Sequence, residues 1–181
     1  MPTEQSSFIE RIRLIHQALN IPETFASERQ LPLHVEADLL IEVNCKRADK
    51  VHRLIEPAAR GWAEMETAAL KDGISLLLVS SFRSVEYQRA LIEKKLQRGQ
   101  KILEILTLLA PPGYSEHHTG RAIDLTTENC PPCVERFEDT AAFSWLSSHA
   151  ENFGFSLSYP RNNPYGFVYE PWHWAFNPHV G

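Results

Sequence analysis

The stretch SEHHTGRAIDL, residues 115–125, constrains the fold more than any other part of this chain. Two adjacent histidines lead into Gly120, and the residues after it read as a short strand. Successive side chains of a strand point to opposite faces, so Ala122 and Asp124 share one face while Arg121, Ile123 and Leu125 share the other. The small Ala122 clears space beside the Asp124 carboxylate. A second stretch repeats the pattern: in GFVYEPWHWAF, residues 166–176, Trp172, Trp174 and Phe176 alternate with His173 and Ala175. A histidine again sits beside an alanine.

Two strands thus offer a polar group from a cleared face, and the turn at His117 offers a third. Catalytic zinc commonly takes three nitrogen or oxygen ligands and keeps one position for water, and His117, Asp124 and His173 supply such a set. Their spacing differs from the helical H-E-x-x-H arrangement, so a turn plus two neighbouring strands must present them. Glu170 lies three residues before His173 with Pro171 between, a bend that could aim its carboxylate at the attacking water as general base. Taken singly, each residue also has an ordinary reading: a histidine near a strand is often structural, and EPWHW can be a packed aromatic corner.

The rest of the chain alternates helical and strand patterns. Residues 7–19 read as a helix with Ser7 and Glu10 as a capping box and Phe8, Ile12, Ile15 and Leu19 as its apolar stripe. DLLIEV (38–43) reads as a short strand, EPAARGWAEMETAALKDG (56–73) as a helix with Pro57 near its start and Gly73 past its end. ISLLLVSS (74–81) has strand length, and SVEYQRALIEKKLQRG (84–99) is an amphipathic helix capped by Ser84 and stopped by Gly99. KILEILTLLA (101–110) adds a helical turn or two before Pro111 and Pro112. Residues 139–152 form a further helix ended by Gly154, and FSLSY (155–159) a further strand.

With 181 residues, 43% hydrophobic and 23% charged, the chain can bury one substantial core and is expected to form a single domain. A net charge of −5 without any basic run gives no footprint for nucleic acid or an anionic membrane. The first residues, MPTEQSSFIERIRLIHQ, carry charges where a secretory signal needs an apolar core, and no later stretch has the length of a membrane span, so a cytoplasmic location is expected. Three cysteines are too few for a disulfide framework. Cys45 reads as a small buried hydrophobe. CPPC, with Cys130 and Cys133, reads as a loop whose thiols do no chemistry, since no second pair completes a four-thiolate zinc site; a local disulfide is the alternative.

In their joint order these residues resemble a known family. SEHHTGRAID fits S-x-H-x-x-G-x-A-x-D, and EPWHW fits E-x-x-W-H, of the VanY-like D-alanyl-D-alanine carboxypeptidases. SSFRSVEYQ resembles that family's S-G-[YF]-R-S-x-x-x-Q segment, with Ser81 in place of the usual glycine, and PPGYSEHHTG its approach to the first histidine. The resemblance covers about residues 50–176, leaving about 1–48 as a helical extension of the same single domain. It implies an α+β fold, a central antiparallel sheet flanked by helices, with one zinc ion per chain on the sheet. It makes His117, Asp124 and His173 the ligands and Glu170 the base, with His118 at a variable position. Arg83 matches the arginine expected to stabilise the carbonyl oxygen or hold the substrate's terminal carboxylate, and Gln88 and Ser115 match polar positions lining the pocket. The expected substrate is a peptidoglycan stem peptide or muropeptide ending in D-alanine, with D,D- and L,D-carboxypeptidase and D,D-dipeptidase activity all open. A phage-type lytic endopeptidase, or a non-catalytic zinc module that binds a partner, is the alternative. Oligomeric state is not legible in the sequence.

Overall fold

The computed structural model describes residues 4–43 and 51–177. The fold is α+β. Helix α1 spans Glu4–Ala18 and a single turn, α2, spans Phe25–Glu28. Strands β1 (Ile41–Val43) and β2 (His52–Leu54) pair antiparallel, and helix α3 (Glu56–Lys71) follows. Pro57 sits in its first turn, where a missing N–H costs nothing, and Gly73 follows its C-terminus at φ +76°. Then come β3 (Leu77–Ser80), α4 (Val85–Leu96), the single turn α5 (Ile102–Ile105) and β4 (Ala122–Thr126). Ser84 caps α4, its hydroxyl accepting the Tyr87 N–H at 3.1 Å. Helix α6 (Ala141–His149) and strands β5 (Phe155–Leu157) and β6 (His173–Phe176) follow among the described residues.

Four strands form the main sheet in the order β3-β4-β6-β5, every pair antiparallel. Its register builds the site. Asp124 on β4 stands opposite His173 on β6 and, on its other side, opposite Ser80 on β3. Leu78 stands opposite Leu125, so a regular β3 would keep Ser80 on Leu78's face; an irregularity at Val79 turns Ser80 to the face of Asp124. The other face carries Leu78, Ile123, Leu125, Trp174 and Phe176 into a core with α3 and α6, closed by Trp62, Met65, Trp145 and Leu146. A second core joins Ile12 and Ile15 of α1, Leu19 just past its end and Phe25 of α2 to Val85, Ile92 and Ile105 of α4 and α5, with Tyr159 and Phe167.

Several boundaries differ from the sequence reading. Glu4 is already helical, so Ser7 lies inside α1 and not at its N-cap. The strand expected over 38–43 is confined to Ile41–Val43, and the 139–152 helix is α-helical over Ala141–His149 and then 3-10 over Ala150–Phe153. In residues 166–176 only His173–Phe176 is strand. Cys45 lies outside the described residues.

Candidate metal centre

Three elements converge on one point. His117 sits on a 3-10 turn, Glu116–Thr119, which ends at Gly120 in the left-handed conformation at φ +64° before β4 begins. A β-carbon at Gly120 would lie 2.7 Å from Leu40 Cδ2 and 3.2 Å from the backbone nitrogen of Ile55, so both the turn and its packing require glycine. His173 starts β6 after a tight turn in which its N–H donates to the Glu170 carbonyl at 3.0 Å, with Pro171 second in the turn. That turn folds Glu170 back beside His173, its Oε2 lying 3.9 Å from Nδ1.

His117, Asp124 and His173 are all buried, and one donor atom of each lies within 4.8 Å of the others. His117 Nε2 is 3.3 Å from Asp124 Oδ2, and His173 Nδ1 is 3.0 Å from Asp124 Oδ1. The far nitrogen of each ring is engaged elsewhere: His117 Nδ1–H donates to the Ser81 carbonyl at 2.7 Å, and His173 Nε2–H donates to Glu116 Oε2 at 2.8 Å. Both imidazoles are therefore oriented with the other nitrogen turned to Asp124, as outer hydrogen bonds orient metal-binding histidines. Two imidazole nitrogens and one carboxylate oxygen are a donor set of the catalytic zinc type.

Electrostatics sort these groups into roles. Burial, with the Arg83 guanidinium adding to it, lowers the His117 pKa to about 4. Burial opposes ionisation of Asp124, yet His117 and Arg83 hold it well below the usual carboxylate range. Burial alone would lower His173, but hydrogen bonds to Asp124 and Glu116 outweigh it and hold the pKa at about 10, so without a metal this ring carries a proton between two carboxylates. Burial raises Glu170 to about 7, the range of a general base at neutral pH.

Arg83 pairs through Nη2 with Asp124 and donates from Nε to Ser80 Oγ at 2.9 Å. Arg83, Gln88, Ser115, His117, Asp124, Glu170 and His173 all line one cavity of about 110 Å³. Gln88 donates from Nε2 to the Ala110 carbonyl at 2.8 Å, and its buried Oε1 has no partner among the described residues. His118 is held away from the three donors: Nδ1–H donates to the Arg83 carbonyl at 2.7 Å and Nε2 accepts the Gly113 N–H at 3.1 Å. Sequence reasoning assigned no role to Glu116. It stood inside the quoted motif, but its partner His173 is 57 residues away, and no local pattern reports such a contact.

Known proteins are similar to this chain along most of its length. Bacillus subtilis (strain 168) YodJ is 30% identical over 173 residues, 91% of this chain and 63% of YodJ, so the chain spans less than two thirds of that relative. The structure of the LdcB LD-carboxypeptidase superposes with a TM-score of 0.71 at 30% identity, covering 80% of this chain and 71% of LdcB. A vancomycin-resistance D,D-pentapeptidase VanY in complex with Zn(II) has the same fold, with a TM-score of 0.59 at 22% identity over 80% of this chain and 86% of VanY. Among the described residues no helix is long and apolar enough to cross a membrane. The sequence pattern of one family spans residues 51–179, taking in the turn, both site strands and Arg83, and this chain belongs to that family, VanY, D-alanyl-D-alanine carboxypeptidase.

Proposed function

We propose that this chain is a zinc-dependent carboxypeptidase that removes a C-terminal D-alanine from peptidoglycan-type stem peptides or muropeptides. One observation carries the reading: the His117, Asp124 and His173 donors and the Glu170 carboxyl line the same cavity. The donor set supports one zinc ion per chain, as do family membership and the Zn(II) complex of VanY. A binding module needs no titratable carboxyl raised to about 7 at that place, which favours catalysis.

When bound, zinc supplies Lewis acidity and a water ionisable near neutral pH. Glu170 takes the proton of the attacking water and passes it to the leaving amine. Arg83, held on one side by Asp124 and Ser80, keeps Nη1 without a partner among the described residues, and a fixed guanidinium recognises a carboxylate or a developing oxyanion. Gln88 and Ser115 add polar groups to the cavity wall. We place the catalytic core at about 50–176, with about 1–48 as its helical extension; the start of the family match at residue 51 supports that boundary.

The test is mass spectrometry of defined stem peptides incubated with zinc-loaded protein. A C-terminally amidated peptide should be cleaved at least about a hundredfold more slowly than the free acid, a ratio corresponding to ~2.7 kcal/mol, because the amide offers the outer edge of the Arg83 guanidinium no carboxylate. Tetrapeptide and pentapeptide stems separate L,D- from D,D-specificity. Equal rates on acid and amide, or release of dimeric stems from cross-linked sacculi, would replace this reading with an endopeptidase.

A further inference from the structure

The CPPC loop is left over by the proposed chemistry, and its position is not neutral. It leaves β4 four residues past Thr126 and leads into the 3-10 turn Glu135–Asp139. Its two cysteines are thiols in unlike settings: Cys130 is half-buried against the main core, whereas Cys133 is exposed and lines the cavity that holds Asp124, Glu170 and His173. The loop is fixed at both ends. Thr126 Oγ1 donates to the Cys130 carbonyl at 3.0 Å. On the far side Arg161 binds both Glu135 and Glu138 and lies over the Tyr169 ring at 4.1 Å, next to Glu170. Cys133 itself is held at φ +55°, a left-handed conformation that disfavours a residue bearing a β-carbon. Such a conformation persists where the surroundings impose it, and here it accompanies an accessible thiol on the cavity wall.

We infer that Cys133 is a covalent modification site for low-molecular-weight thiols, with Cys130 as the thiol that removes the adduct. The Cys133 thiolate attacks one sulfur of a small disulfide RSSR; that S–S bond breaks, the mixed disulfide Cys133–S–SR forms, and RS⁻ leaves. The group R then lies over the mouth of the cavity and obstructs it. The Cys130 thiolate attacks the Cys133 sulfur, expels the second RS⁻ and leaves a Cys130–Cys133 disulfide. Over both steps two protein thiols are oxidised, RSSR is reduced to two RSH, and the thiol protons pass to the departing thiolates. Two-residue spacing makes the second step local. The inference rests on the proposed function only for the effect on peptide hydrolysis.

The experiment treats zinc-loaded Cys130→Ser protein with glutathione disulfide. Within the loop one glutathione adduct is expected, mapped to Cys133 by digestion and mass spectrometry. Stem-peptide hydrolysis should fall at least about tenfold from the variant's own reduced rate, the ratio given by a ~1.4 kcal/mol loss, and return with dithiothreitol. Independently of hydrolysis, a chelator should strip zinc from the blocked cavity more slowly, while total zinc is unchanged. Wild-type protein should pass on to the internal disulfide without accumulating the adduct, and Cys133→Ser should gain no adduct in the loop. Cys130→Ala repeats the trap should the serine disturb the core. No adduct at Cys133, or an adduct that alters neither hydrolysis nor zinc extraction, overturns the inference. A reduced protein that hydrolyses no stem peptide refutes the proposed function instead, and the adduct map and zinc extraction then decide the cysteine inference alone.

Discussion

Glu116 and Glu170 are both close to His173, and their surroundings give them opposite roles. Glu116 accepts the His173 Nε2–H at 2.8 Å; although burial opposes it, that contact lowers its pKa and keeps it an anion. Its work is orientation. Glu116→Ala should therefore free the ring and weaken zinc affinity about 10–100-fold, the range found for outer-shell partners of metal-binding histidines, while leaving Glu170 in place. Competition with a chromophoric chelator measures this, and unchanged affinity would show that the ring is held without Glu116. Glu170, raised to about 7 chiefly by burial, must be ionised to take a proton, so kcat/KM is expected to fall as pH drops. A bound dication favours the carboxylate and moves the acid limb to or below about 7. Glu170→Gln should keep its zinc, lose about 10²–10⁴-fold in turnover and lack that limb. These roles were unequally legible. The donor trio and Glu170 stand in local motifs, but the Glu116 contact and the Arg83–Asp124 pair join residues far apart in sequence.

At the scale of elements, alternation in RAIDL gave the faces of β4 correctly, and the caps of α3 and α4 were readable because Pro57, Gly73, Ser84 and Gly99 act within one turn of themselves. The irregularity at Val79 was not readable. ISLLLVSS is apolar almost throughout, so nothing in it marks where the pairing slips and Ser80 changes face. The start of β6 was missed for a related reason: aromatic and β-branched residues in GFVYEPW suit a strand, but the turn closed by the His173 N–H interrupts it. Gly120, by contrast, is a local requirement with a distant purpose. It sets the angle between the turn bearing His117 and the strand bearing Asp124. Gly120→Ala forces a β-carbon into a left-handed residue, costing roughly 1–2 kcal/mol before the contact with Leu40 and Ile55 is counted. For a chain of this size each kcal/mol corresponds to a Tm shift of about 2–4 °C, and scanning calorimetry should show a loss of at least that size, with zinc affinity falling too. A variant as stable as the parent would mean that the turn relaxes at no cost.

The molecule as a whole is built from two cores, and the metal centre lies between them. Trp172 packs on the core shared by the sheet, α3 and α6, whereas Tyr159 and Phe167 belong to the core shared by α1, α2, α4 and α5, and all three residues line the cavity. The helical extension therefore does more than precede the proposed catalytic core: Ile12 and Ile15 of α1 and Leu19 just past its end, spaced three and four apart, share one core with Val85, Ile92 and Ile105. The stripe itself was legible from its period, but its partner was not, since periodicity names a buried face without saying what buries it. Ile15 is only 4% exposed, so Ile15→Ala should destabilise the protein by about 2–5 kcal/mol through lost burial and the cavity left behind. Because this core carries one wall of the cavity, unfolding of the variant should stay a single transition at a lower midpoint, followed alike by far-UV dichroism and by release of zinc. An early transition that melts helix while zinc stays bound would instead show that residues before about 50 unfold by themselves and that the catalytic core does not need them.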